Sequence, residues 1–291
     1  MTHSERPEGA MLTPRSARVG KIAALSGRSV RQREGRFRVE GPQAIRALLE
    51  REVRDRAEGR GGILDELYLT TKARDAHPEL EQLAETVGAR PRLVAPDVIG
   101  AMVREQGHQS LTNPQGAIAV ARSVERDWRD LLDAQGAGPV TIVVCERLQD
   151  PGNAGLVMRT ADASGAHAVF FSEGSVDPLA PKVVRASAGS LFHVPFARKV
   201  PMGELLDALR SRNIATAATS PRGAQNLFDW IPPERLAWLM GNEAHGLDEA
   251  TLEAADTRVA IPIYGSAESL NLATATTLCL FESARARAGA R

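Results

Sequence analysis

The 291-residue sequence predicts an α/β protein in two units, and three observations carry that prediction. Short β-branched runs alternate with helical patterns along most of the chain, the signature of helices packed on sheets. The run Val140-Thr141-Ile142-Val143-Val144 is nearly continuous in apolar residues, as in a strand covered on both faces of a parallel sheet. The length is long for one domain and comfortable for two.

Residues 1–17 read as a flexible tail. A smaller α/β unit is expected over 18–121. Gly41-Pro42-Gln43 precedes a helix in which Ile45, Leu48 and Leu49 fall at helical spacing. Residues 64–70 alternate like a half-buried strand, and 78–87 is a further helix. Asn113-Pro114-Gln115-Gly116 is a turn before the strand 117–120. Residues 122–139 read as a connector: Trp128, Leu131 and Leu132 mark one face of a short helix, which Gly136-Ala137-Gly138-Pro139 ends. The second unit, 140–291, has expected strands at 140–144, 168–172, 214–219, 236–240 and 258–263. Helices are expected at 155–164, 182–187, 202–212 and 270–288. That alternation places a ligand site at the C-terminal strand ends.

Composition narrows the function classes. Hydrophobic residues at 43% and charged residues at 25% fit an ordinary globular protein. No apolar run is long enough to span a bilayer, and the N-terminus lacks an apolar signal core. Cys145 and Cys279 have no metal-ligand spacing and read as buried small hydrophobes of a reduced, cytoplasmic protein, with no metal expected. The formal net charge is zero, but Arg18, Lys21, Arg28, Arg31, Arg33 and Arg36 cluster against one acid, Glu34. Such a segment is a candidate for phosphate contacts. Aromatics are only 4%, which favours recognition of RNA by shape and charge over a stacking platform. No Gly-x-Gly-x-x-Gly turn follows the strand at 140–144, which argues against a nucleotide-binding dehydrogenase.

Three junctions between strand and helix carry the chemistry. In Asp150-Pro151-Gly152-Asn153, Pro151 and Gly152 make a turn, Asn153 is expected to cap the next helix, and Gly155 permits close packing. Arg159 offers a guanidinium fork for a phosphate or carboxylate. In Gly241-Asn242-Glu243-Ala244-His245-Gly246-Leu247 two glycines bracket a polar turn. Its amides suit an adenine or ribose edge, and Glu243 suits a ribose hydroxyl or an arginine; His245 reads as an exposed loop residue. In Ile261-Pro262-Ile263-Tyr264-Gly265-Ser266-Ala267-Glu268-Ser269-Leu270-Asn271-Leu272, Ser269 and Asn271 open a long helix, either as caps or as ligand contacts.

In order and spacing these segments closely resemble the three signature motifs of the SpoU/TrmH-type RNA 2′-O-ribose methyltransferases of the SPOUT superfamily, over residues 140–288. More loosely, Phe37-Arg38-Val39-Glu40-Gly41 and Asn113-Pro114-Gln115-Gly116 resemble the substrate-binding domain of the ribosomal-RNA members. The resemblance implies a C-terminal trefoil-knot methyltransferase domain, bent S-adenosylmethionine in the knot loops, and a homodimer with its active site at the interface. It implies Asn153, Arg159, Glu243, Ser269 and Asn271 as the catalytic cluster. Thr219, Gly241, Asn242, Ile261, Ile263 and Leu270 are the implied cofactor contacts. The family arginine is proposed as the base that takes the ribose proton. A guanidinium with a pKa above about 12 is a poor base near neutrality, so a phosphate clamp is the other role open to Arg159, with Glu243 and Asn153 expected to hold it. The substrate implied is RNA, 23S ribosomal RNA first. The alternatives are transfer RNA, an antibiotic-resistance modification of ribosomal RNA, and a non-catalytic RNA-binding protein.

Overall fold

The computed structural model describes residues 12–104 and 114–289, and the chain divides into two units, 1–123 and 124–291. Residues 1–11 of the expected tail, and Asn113 of the expected turn, lie outside the described residues.

The first unit runs α1 (Ala17–Ala24), α2 (Arg28–Glu34), β1 (Arg36–Glu40), α3 (Pro42–Ala57), β2 (Leu64–Leu69), α4 (Thr71–Ala76), α5 (Pro78–Thr86), β3 (Arg92–Leu93), α6 (Pro96–Met102) and β4 (Ala117–Arg122). Its sheet has the order β1-β4-β2-β3, with β4 antiparallel to both neighbours and β3 parallel to β2. The apolar positions of α1 and α6 meet Tyr68, Ile118 and Val120 in one core. Proline at the first position starts α3, α5 and α6, where its missing N–H costs nothing.

The second unit runs α7 (Trp128–Asp133), β5 (Val140–Cys145), α8 (Pro151–Ser164), β6 (Ala168–Ser172), α9 (Pro181–Ala186), β7 (Phe196–Val200), α10 (Met202–Ser211), β8 (Ala215–Thr219), β9 (Gln225–Asn226), β10 (Arg235–Met240), α11 (Glu249–Ala254), β11 (Thr257–Ala260) and α12 (Leu272–Gly289). Every pair in its sheet is parallel, in the order β7-β6-β5-β10-β8-β11-β9. All six residues of β5 are buried, as its unbroken apolar run requires. Ile142 and Val144 join one core with α7 and α10, while Trp238 of β10 is fully buried and its Nε1 donates to Ser283 Oγ of α12 at 2.9 Å. The segment read as a connector does more than connect: Trp128, Leu131 and Leu132 are buried in this core. Gly155 lets α8 press on α9, since a Cβ there would overlap Ala186 and the Ser187 nitrogen.

Two boundaries differ from the sequence reading by three residues or more, the others by no more than two. The strand expected over 258–263 ends at Ala260, because Pro262 has no N–H for the ladder. The helix expected from Gly155 starts at Pro151, with Asp150 and not Asn153 as its N-cap: Asp150 Oδ1 accepts from the Asn153 amide at 2.7 Å. Pro151 and Asp150 together form a strong helix start, and Asn153 is moved inside the first turn. Among the described residues no helix is long and apolar enough to cross a membrane.

Candidate active site

Strands β5 and β10 are neighbours although β6 to β9 intervene in sequence, and Met240 pairs in register with Cys145. This is where the strand order switches, and the crevice beyond the C-terminal ends is the usual ligand position in an open parallel sheet. The loops leaving the C-terminal ends of β5, β10 and β11 carry the three sequence motifs.

Three expected catalytic side chains meet there. Asn271 Nδ2 donates to Asn153 Oδ1 at 2.9 Å, and Asn153 Nδ2 donates to Glu243 Oε1 at 3.1 Å. The carboxylate of Glu243 also accepts from the backbone amides of Gln149 at 3.2 Å and Asp150 at 3.1 Å. Desolvation pushes the Glu243 carboxyl upward, but its own amide, Asn153 and the amides of Asp150 and Gln149 outweigh it and hold the pKa below the usual glutamate value. Asn153 is buried, so its amide has to be satisfied on both sides. Asn271 Oδ1 accepts from Ala273 N at 2.9 Å, which makes Asn271 the cap of α12 as well.

Arg159 stands apart from this relay. Six residues along α8 are about 9 Å of rise and about 120° of rotation from Asn153. Arg159 is exposed and makes no ion pair or side-chain hydrogen bond among the described residues. The expectation that Glu243 and Asn153 hold this arginine is therefore corrected: they hold each other. Ser269 is exposed on the loop before α12 and does not cap that helix.

Beside the relay lies a cavity of about 410 Å³, walled by Thr219 at the end of β8, by Ser220 and Pro221 after it, and by 259–263, Gly265, 267–270 and Ala275. Thr219, Ile261, Ile263 and Leu270, four of the six expected cofactor contacts, line it, as does Ser269. Gly241 and Asn242 do not. Asn242 is used by its own loop: its Oδ1 accepts from the amides of Ala244 and His245, its Nδ2 donates to Arg147 O at 2.8 Å, and its backbone pairs with Gly246. Gly241 is the pinch of that loop, where a Cβ would overlap the carbonyl carbon of Gly246 and the Leu247 nitrogen. A second cavity, of about 660 Å³, lies at the opposite ends of the strands near Pro139, His167 and Glu234 and contains none of the motif residues.

The basic segment of the first unit is largely paired. Arg18 meets Glu66 at 2.6 Å, Arg36 meets Asp65 at 2.7 Å and Arg33 meets Glu34 at 3.1 Å. Arg31 is a correction to the expected RNA contacts. It is buried, and its guanidinium donates to the carbonyls of Leu25 at 2.9 Å and Ser26 at 2.6 Å, closing the α1–α2 turn. Lys21 and Arg28 are exposed and have no ion pair among the described residues.

Two residues of the site were not singled out from sequence. Asp150, just before a proline, carried a helix-start signal that went to Asn153 instead. Glu146 is a buried charge directly after β5, and only its distant partners reveal its use.

A family model described as the SpoU rRNA Methylase family matches residues 140–281. The chain is 32% identical over 291 residues to a 23S rRNA (uridine(2479)-2′-O)-methyltransferase of Streptomyces viridochromogenes, covering 98% of this chain and 95% of the relative. It is 32% identical over 228 residues to the 23S rRNA (guanosine-2′-O-)-methyltransferase RlmB of Bordetella pertussis, covering 78% of this chain and 91% of that one. Among solved structures, the SpoU methyltransferase AviRb of S. viridochromogenes in complex with AdoMet superposes with a TM-score of 0.79 at 32% identity, covering 95% of this chain and 100% of that chain. An AdoMet-bound rRNA methyltransferase of Sinorhizobium meliloti gives 0.77 at 28% identity, over 93% and 95% of the two chains.

Proposed function

The chain belongs to the SpoU rRNA methylase family, and on that premise we propose that it transfers a methyl group from S-adenosylmethionine to a ribose 2′-hydroxyl of 23S ribosomal RNA. The observation that carries this reading is the Asn271–Asn153–Glu243 relay at the switch point of a parallel sheet, beside a donor-sized cavity. Intact relay residues favour an enzyme over a non-catalytic RNA-binding protein. The named relatives favour ribosomal over transfer RNA.

The cavity suits the donor chemically. Ile261, Ile263 and Leu270 offer apolar surface to a purine, and Glu268 brings a carboxylate to a cationic ligand. S-adenosylmethionine supplies a methyl group already activated on a sulfonium. The protein has to orient the ribose oxygen in line with it and ease the loss of the hydroxyl proton. Glu243, Asn153 and Asn271 hold the β5–α8 loop, the 241–248 loop and the start of α12 in one arrangement. Arg159, a permanent cation, serves as a clamp on the RNA phosphate and lowers the pKa of the neighbouring hydroxyl electrostatically.

The reading includes a deep trefoil knot formed by the motif loops, a homodimer and action in the cytoplasm. Supporting the dimer, Leu156 of α8 and Phe281 of α12 are 43% and 48% exposed. The two helices pack together, with Thr160 Oγ1 and Thr277 Oγ1 at 3.1 Å. Arg159, three residues beyond Leu156, shares its exposed stripe and would act from within that interface. In the first unit, Lys21 and Arg28 are the cations best available to RNA phosphate, with Arg18, Arg33 and Arg36 at the ends of ion pairs.

The test is transfer of labelled methyl to unmodified 23S rRNA, with calorimetry of donor binding alongside. Wild type should bind the donor and label one ribose. Arg159→Ala should lose on the order of 10²–10³-fold in transfer and keep donor affinity within about twofold. Absence of donor binding by the wild type would refute the reading. Near-normal turnover by Arg159→Ala would remove the arginine from its role.

A further inference from the structure

Glu146 follows β5 directly and is 4% exposed, an expensive place for a carboxylate unless its oxygens are satisfied. They are, by residues about a hundred positions away. Oε2 accepts from the Asp248 amide at 2.9 Å, and Oε1 accepts from Thr251 Oγ1 at 2.8 Å. The backbone amide of Glu146 donates to Met240 O at 2.8 Å. One residue thus grips the 241–248 loop where it leaves β10 and where it enters α11. Asp248, the N-cap of α11, makes no side-chain bond to its own helix and pairs with Arg147 instead. The carboxylate of Glu146, from another part of the chain, satisfies the free N–H of that N-cap residue and the Thr251 hydroxyl.

We infer that Glu146 is a positioning residue for methyl transfer: by closing both ends of the 241–248 loop it holds Glu243 where it can accept from Gln149, Asp150 and Asn153. The inference rests on the proposed function for its effect on catalysis, but not for its effect on the loop. Between its two gripped ends the loop is held by the Asn242–Gly246 backbone pair and by Asn242 Nδ2 on Arg147 O. Loss of the carboxylate leaves the Met240 end held and the Asp248 end tethered through its exposed pair with Arg147. No residue of 241–248 lines the donor cavity, so the damage falls on the relay and not on donor binding.

Amide hydrogen exchange without donor, followed by kinetics, tests this. In Glu146→Gln the Asn242 and Gly246 amides should exchange about 10-fold faster, while those of β5 and β10 keep their protection. Turnover at saturating donor should fall about 10-fold, with donor affinity within about twofold. Thr251→Val removes one of the two acceptor contacts and should shift both readouts the same way by less; the double variant should be no worse than Glu146→Gln. Unchanged loop exchange would overturn the inference, and so would a loosened loop with normal turnover. Equal loss of protection throughout the unit would reduce Glu146 to a general stabiliser. If Glu146→Gln does not fold, Thr251→Val decides alone: no change in loop exchange or turnover overturns the proposal. A wild type that binds no donor would sink the functional reading and leave the exchange test of loop closure standing.

Discussion

Glu52 and Glu243 perform the same geometric task in different units and differ in their third partner. Glu52 of α3 accepts from two consecutive amides, Ile63 and Leu64, and Glu243 accepts from Gln149 and Asp150. Each carboxylate pins a loop to another element, Glu52 across 11 and 12 residues and Glu243 across 94 and 93. Glu52 then takes the guanidinium of Arg56 one helical turn away, at 2.8 Å, and its side chain is fully buried. Glu243 takes the neutral amide of Asn153, which passes on to Asn271, and sits on the surface. A charged partner ends the network in a local ion pair. A neutral amide, with both a donor and an acceptor, extends it to a third element. The first arrangement is structural, and the second leaves a side-chain relay facing the crevice.

Substitution of Glu243 with Gln should break that contrast most strongly. One acceptor becomes a donor facing backbone N–H groups, so methyl transfer should fall on the order of 10²–10³-fold, with the thermal midpoint of the second unit lowered only slightly. A transfer rate within threefold of wild type would show the relay to be a structural clamp like its counterpart. Glu52→Gln should do the reverse. Its buried acceptors serve two amides and a guanidinium, so denaturant unfolding of the first unit should register a loss of about 1–3 kcal/mol, with methyl transfer at saturating RNA little changed. A stable variant with lost activity would contradict the division of roles.

Acid titration should give the smallest and most shared effect. Glu52 is subject to desolvation, which raises its pKa, but Arg56 and the Ile63 and Leu64 amides overcome this and set it below the usual value, as the corresponding bonds do for Glu243. A carboxyl with a depressed folded pKa contributes stability that is full above its unfolded value, near 4.3, and is lost as the pH falls through the folded value. Both units should therefore keep their stability down to about pH 5 and lose it progressively below about pH 4. Glu52→Gln and Glu243→Gln should each flatten the acid limb of their own unit, followed by intrinsic fluorescence and by exchange of the pinned amides. An unaltered acid limb in either variant would remove that carboxylate from the account.

The basic segment shows where the sequence reading needed correction. Six cations against one acid looked like a phosphate-binding run, but β2 brings Asp65 and Glu66 to Arg36 and Arg18, and Arg31 turns inward to two carbonyls. Local charge counts omit acids that arrive from other strands. The same blindness applies to Asn153. Its residue type suggested a cap, but Asp150 took that role and released the amide for the relay. Arg159 was identified by spacing, yet its separation from the relay follows from helix geometry that the motif does not display.

What the sequence determined by itself was whatever depends on neighbours a few positions apart. The uninterrupted apolar run of β5, the prolines that open α3 and α8 and the helical spacing of α3 each follow from local stereochemistry and burial. The order of the three motifs was equally legible, and with it the family. The tertiary structure alone decided which strand ends meet. The pairing of β5 with β10 brings Cys145 beside Met240, sets Glu146 against Asp248, and lets Glu243 reach Asn153 from 90 residues away. Contacts at such separations are set by sheet order and register, and no local pattern of residues encodes which two strands become neighbours.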